Sequence, residues 1–173
     1  MKKFQRYVTL ALKGGAEIAK VIPVRYVITA EWVRLKCQFG CGGYNKRWCC
    51  PPCTPTPETT RKMLADYHYA LIFAYEGKED VRQRRKMQRM LANLERTVFL
   101  DGFYKAFAMG AGPCRLCTVC DTTRLCRFPY IARPSMESCG IDVYATCRNA
   151  GIKLEVVTCY EDRPRYINLL LLE

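Results

Sequence analysis

From His68 to Tyr75 the chain reads His-Tyr-Ala-Leu-Ile-Phe-Ala-Tyr, and Glu76-Gly77 closes the run. So short and continuous an apolar stretch predicts a buried strand. A different period follows. From Glu79 to about Leu100, Val81, Met87, Leu91, Leu94 and Val98 recur at three- to four-residue spacing with one wider gap, which predicts a long helix with one inward face. Before the strand, Thr56 is placed to cap a helix opened by Pro57-Glu58 and running to about Asp66. Phe103–Met109 predicts a second strand, ending at Gly110-Ala111-Gly112-Pro113. Ser135 can cap a helix running to about Asn149, with Gly151 as its stop. Lys153–Thr158 and Tyr166–Leu172 predict two more strands, paired as a hairpin around Glu161–Pro164. This order predicts an α/β or α+β sandwich: a small mixed sheet with flanking helices and cysteine-rich loops at its rim.

The 173 residues suit a single domain, 1–173, and 50% apolar with 25% charged residues is a globular balance. No apolar stretch approaches the roughly 18 residues of a membrane span. The N-terminal patch Tyr7–Leu12 is too short for a signal peptide, so the expected location is the cytoplasm.

Cysteine changes the picture. There are twelve, with only one histidine, His68, so a metal site here must be built almost wholly from thiolates. Cys37, Cys41, Cys49, Cys50 and Cys53 form one group, and Cys114, Cys117, Cys120 and Cys126 a second. Without an export signal, disulfides are disfavoured and metal or redox chemistry is the better account.

The second group runs Cys-x2-Cys-x2-Cys from Cys114 to Cys120, then Cys126 and, three residues on, Pro129. Zinc sites take two separated pairs, whereas successive two-residue gaps wrap an iron–sulfur cubane. Cys126 either closes this cluster or serves another. Zinc and a metal-free thiol cluster are the alternatives.

In the first group, Gly40, Gly42 and Gly43 allow close backbone approach to an ion or cluster, and Pro51-Pro52 stiffens the turn after Cys50. Cys37, Cys41 and Cys50 form one set, with Cys53 or Cys49 as the fourth ligand. If only three thiols bind, one iron stays open for chemistry. Cys50-Pro-Pro-Cys53 also has redox-dithiol spacing, without the strand-to-helix context of such motifs. A structural zinc knuckle is a further alternative.

Two runs carry a family resemblance. One is Cys37-x3-Cys41-x2-Tyr44-x-Lys46-x-Trp48-x-Cys50-Pro51-Pro52. The other is Gly112-x-Cys114-x2-Cys117-x2-Cys120, followed by Cys126-Arg127-x-Pro129-x2-Ala132-Arg133-Pro134-Ser135-Met136-Glu137-x2-Gly140-Ile141-Asp142-Val143. Over roughly Arg34 to Val157 the chain resembles the cysteine-rich predicted metal-binding proteins called domain of unknown function 2284, a family mainly of anaerobic bacteria and archaea. The resemblance implies metal binding and places Cys37, Cys41, Cys50, Cys114, Cys117, Cys120 and Cys126 at the family's motif cysteines. Cys49 and Cys53 fall outside them.

The charge is 28 basic minus 16 acidic residues, or +12. Two clusters of roughly −2 each would bring it to about +8, so part of the excess can balance buried anions. The other reading is an anionic partner. Arg82, Arg84, Arg85, Lys86 and Arg89 give the long helix a basic side, either a solvated face or a dock for an acidic redox protein or nucleic acid. Arg127, Arg133, Ser135, Glu137 and Asp142 could hold an anion near the second group; a helix cap with a surface ion pair is the plainer reading. Cys139 and Cys147 fit small core positions, Cys159 a strand end, and His68 a satisfied strand residue. Tyr44 and Trp48 are expected to shield a cluster from water.

The leading functional expectation is an iron–sulfur ([4Fe-4S]) protein, one or two clusters, acting in electron transfer or redox chemistry with a redox partner protein. A zinc-stabilised binding module for nucleic acid or an acidic protein is the alternative. A thiol enzyme using Cys49 or Cys53 as nucleophile is a third.

Overall fold

The computed structural model describes residues 2–77, 80–159 and 161–173. The fold is α+β, around one four-stranded sheet. In chain order the elements are α1 (Gln5–Lys13), β1 (Ile18–Pro23), α2 (Glu31–Gly40), α3 (Pro57–Leu64), β2 (Tyr69–Glu76), α4 (Val81–Leu100), β3 (Phe107–Met109), α5 (Val143–Asn149) and β4 (Arg165–Leu171). Among the described residues no helix is long and apolar enough to cross a membrane.

The strand order is β1-β2-β4-β3. All three pairings are antiparallel, where a mixed sheet was expected. The reason is an insertion. β2, α4 and β3 do form a strand–helix–strand unit with its two strands parallel, but β4 slots between them, so each hydrogen-bonded neighbour runs the opposite way. With both its edges occupied, β4 has none left for Lys153–Thr158. The expected hairpin is therefore absent, and that segment is irregular.

β2 is buried on both faces, which explains its unbroken apolar sequence. Ala70, Ile72 and Ala74 face a layer containing Met136, Ile141, Cys139 and Cys147. Leu71, Phe73 and Tyr75 face α1 and α4, through Phe4, Tyr7, Met87, Leu91 and Val98. The wider gap in the α4 stripe is filled by Arg84, which is buried, whereas Val81 is exposed. Glu79, the expected start of this helix, lies outside the described residues.

Two expected elements are shorter. Residues 101–106 turn, with Gly102 at φ 100°, and leave only three residues for β3. Phe103 packs instead against Phe4 with its ring tilted, centroids 5.2 Å apart. The helix expected from Ser135 is interrupted by Gly140, at φ 77°. Ser135 Oγ accepts from Ser138 N at 3.0 Å and caps only a single 3-10 turn, Glu137–Cys139. Asp142 caps α5 by accepting from Ala145 N at 2.9 Å. Thr56 caps α3 as expected, accepting from Thr59 N at 3.1 Å.

Candidate metal centre

The first cysteine segment begins on a helix and not wholly on a loop. Cys37 lies in the last turns of α2, and Cys41 is the residue that ends it. Arg34, one turn before Cys37, fixes this helix end: its Nη1 donates to Ser138 O at 2.8 Å, Thr54 Oγ1 at 3.1 Å and Pro55 O at 3.1 Å. Beyond Cys41 the chain coils back on itself, and Asn45 N donates to Pro51 O at 2.7 Å. Gly43 is buried in this coil. A Cβ there would stand 3.3 Å from Cys50 Sγ and 3.6 Å from Cys41 Sγ, so the backbone passes between two thiols as only glycine allows without displacement. Gly43 N also donates to Cys41 Sγ at 3.4 Å.

Cys37, Cys41 and Cys50 line one cavity of about 660 Å³, with Tyr44 beside them. Cys53 does not line it. Burial and then the neighbouring Cys41 push the Cys50 thiol up to about 12. Burial, Cys41 and Glu137 push Cys37 up as well.

Cys114, Cys117, Cys120 and Cys126 line a second, much narrower cavity, and the fifth thiol there is Cys49. Leu116, Phe128 and Ala132 supply apolar walls. Trp48 lines it too, and its indole N–H donates to Arg124 O at 2.9 Å and Asp121 O at 3.2 Å, tying the first cysteine segment to the second. Phe128 N donates to Cys126 Sγ at 3.4 Å.

Cys114 is held below the ordinary thiol range, chiefly by a hydrogen bond from the Cys49 thiol. Burial opposes this, while Leu116 N–H, the Arg47 charge and the Gln88 side chain assist. Cys49, the donor, is pushed up by the same bond, by burial and by the thiols of Cys114, Cys126 and Cys50. Burial and then Cys120, Cys114 and Cys126 push Cys117 up as well. Such a crowd of sulfurs resists full ionisation until a cation is present. The donor set therefore fits a thiophilic metal centre: soft ligands only, N–H groups on sulfur, and an apolar surround. No three Cys, His, Asp or Glu side chains among the described residues converge as a ready-made cage for one ion.

A sequence profile of predicted metal-binding proteins matches residues 20–172. The chain belongs to that family, domain of unknown function 2284. No curated protein and no solved structure matches it. In this family member all twelve cysteines are free thiols, and nine of them occupy the two cysteine-rich segments 37–53 and 114–126.

The remaining candidates divide clearly. Cys53 is exposed and shares a shallow depression with Cys49 and Cys126. Cys139 and Cys147 are buried core residues, at 1% and 0% exposure. Cys159 is exposed and sits in no strand. His68 is exposed, precedes β2, and lines neither cysteine cavity. Arg133, a candidate for holding an anion, instead forms a two-armed ion pair with Glu95, its Nε 2.7 Å from Oε2. Glu95 Oε2 also accepts from Ala108 N at 2.7 Å, so one carboxylate joins α4, β3 and the loop behind the second cysteine segment. Arg84 leaves the basic face: it donates to Ala111 O and stacks 4.3 Å over Tyr166. Arg34, Gln88 and Glu95 carried no sequence signal beyond their polar type. The reach of Arg34 across the coil depends on where residues 54 and 138 are brought together.

Proposed function

We propose that this protein is an iron–sulfur protein with two thiolate centres, acting in one-electron transfer or redox chemistry. The observation that carries it is the gathering of five thiols, Cys49, Cys114, Cys117, Cys120 and Cys126, on one narrow apolar cavity. Four of them would hold a [4Fe-4S] cluster. Cys37, Cys41 and Cys50 would hold the second centre, three thiols on a wide cavity with room for an entering ligand. Such clusters, when bound, supply reversible one-electron exchange. Trp48, Leu116 and Phe128 exclude water from the first of these centres, and Arg47 and Arg127 stand near enough to act electrostatically on its thiols. Exposed Arg82, Lys86 and Arg89 on α4 would dock an acidic redox partner. A reducing cytoplasm would keep the thiols metal-ready.

The test is oxygen-free purification followed by iron, zinc and acid-labile sulfide analysis. About eight irons and eight sulfides per chain, with brown absorbance near ~400 nm, are expected. One or two zincs without sulfide would overturn the reading in favour of a zinc-stabilised module whose basic α4 face binds nucleic acid or an acidic protein.

A further inference from the structure

The wide cavity beside Cys37, Cys41 and Cys50 has a chemistry of its own. At about 660 Å³ it lies in the range of small-molecule sites and is far larger than three thiols need. Its walls are largely apolar and aromatic, with Trp32, Tyr44, Tyr144, Val156 and Ile167 among them. Three of the polar wall residues are already engaged. Ser135 and Ser138 bond each other, with Ser138 Oγ donating to Ser135 O at 2.9 Å. The Arg84 guanidinium is engaged by Ala111 O and the Tyr166 ring.

Glu137 differs from these in having a buried oxygen without a partner. It lines the cavity, and its Oε2 is the one buried side-chain oxygen or nitrogen among the described residues that meets no hydrogen-bond partner. A buried acceptor left unmet is costly, and such an atom in a cavity wall calls for a donor from whatever enters. The residue is held in place from both sides: Cys139 N donates to Met136 O at 3.1 Å, and Gly140 N to Glu137 O at 2.9 Å. The acceptor is thus mounted on a short 3-10 turn against the sheet layer, and does not swing on a free loop.

We propose that this cavity binds a small molecule with an apolar, ring-sized body and one hydrogen-bond donor, a hydroxyl or amine, that meets Glu137 Oε2. The aromatic walls take the body and the carboxylate fixes its orientation. That the bound molecule is a ligand or substrate of the neighbouring three-thiol centre rests on the metal reading above; the binding itself does not.

Three probes test it on the full-length, oxygen-free protein: naphthylmethanol, naphthylmethylamine, and the methyl ether of the first, which keeps the ring but has no donor. Equilibrium dialysis should show both donor probes bound about tenfold more tightly than the ether. Either ranking of the two donors supports the site and tells whether it favours a neutral or a cationic group. Glu137→Met should erase the preference. Should that variant fail to fold by circular dichroism, Glu137→Gln, whose amide can donate to the ether oxygen, should narrow it. An ether bound as tightly as the alcohol, a preference that survives both substitutions, or no binding of any probe would overturn the proposal. So would loss of iron in Glu137→Met, which would assign the carboxylate to the metal. Iron and sulfide are measured on the same samples. Iron-free protein that still prefers the donors overturns the cluster reading alone, and iron-loaded protein without the preference overturns this one alone.

Discussion

Cys49 and Cys50 are neighbours in the chain, yet their thiols open onto different cavities. Cys49 lies with Cys114 in the narrow one, and Cys50 with Cys37 and Cys41 in the wide one. Cys114 acts electrostatically on both. A single peptide unit therefore joins the two thiol groups. Under the proposed function, an electron accepted at one centre would have a short covalent and through-space route to the other.

Loss of one thiol from the narrow cavity should be felt there alone. Cys117→Ser is expected to remove about half of the bound iron and sulfide, leaving the Cys37–Cys41–Cys50 centre loaded. Iron and sulfide analysis checks this, and unchanged iron content would exclude Cys117 as a ligand. Cys53→Ser, at an exposed thiol on neither cavity, should leave metal content as it is.

The cysteine grouping shows where sequence reading stops. The Cys-x2-Cys-x2-Cys run is local, so the company of Cys114, Cys117 and Cys120 could be read from spacing. The side taken by Cys49 could not, because side-chain direction at two adjacent residues depends on the coil from Gly43 to Pro51 and on Trp48 reaching Asp121 and Arg124. The same divide runs through the fold. β2 and α4 declare themselves by an unbroken apolar run and a helical stripe. Edge strand β1 buries only Ile22 fully and shows no clean alternation, and α2 buries only Val33 while exposing Trp32, Leu35 and Phe39. Arg84 read as surface charge because nothing local announces that Ala111 and Tyr166 will enclose it.

Glu95 should matter more to stability than its place among the charges of α4 suggests. It is paired with Arg133 at side-chain exposures of 12% and 16%, and it accepts the Ala108 amide. Glu95→Ala leaves a largely buried guanidinium and an amide without their acceptor, and is expected to cost about 3 kcal/mol. Urea unfolding checks it through the midpoint. Glu95→Gln, which keeps an acceptor for Ala108, should cost less.

Gly140 should tolerate no side chain. Its φ of 77° is left-handed, and a Cβ would come within 2.9 Å of Pro57 Cα at the start of α3. The Gly140 backbone cannot yield without moving Ala30, whose amide donates to Gly140 O at 2.9 Å. Gly140→Ala is expected to lose about 2–4 kcal/mol through strain and overpacking together. Calorimetry should show a lowered Tm, whereas an equivalent change at Gly42, with open space around its Cα, should leave it nearly unaltered.

Metal removal should loosen one part of the molecule and spare the rest. The sheet is held by its own ladders and by apolar layers on both faces, none of which depends on the two thiol groups. Residues 113–127 are different: they form no helix or strand, and their fixings include side-chain bonds, with Arg115 N donating to Gln88 Oε1 at 3.1 Å and Trp48 Nε1 to Arg124 O. Segments with few backbone bonds and little apolar burial open at low free-energy cost. Chelation under reducing conditions is therefore expected to speed amide hydrogen exchange across 113–127 and 41–53 by about a hundredfold or more, while amides of β2 and β4 keep their protection. Uniform loss of protection would mean instead that the metal holds the whole fold together. No change in 113–127 would mean that the loop is held by the protein alone.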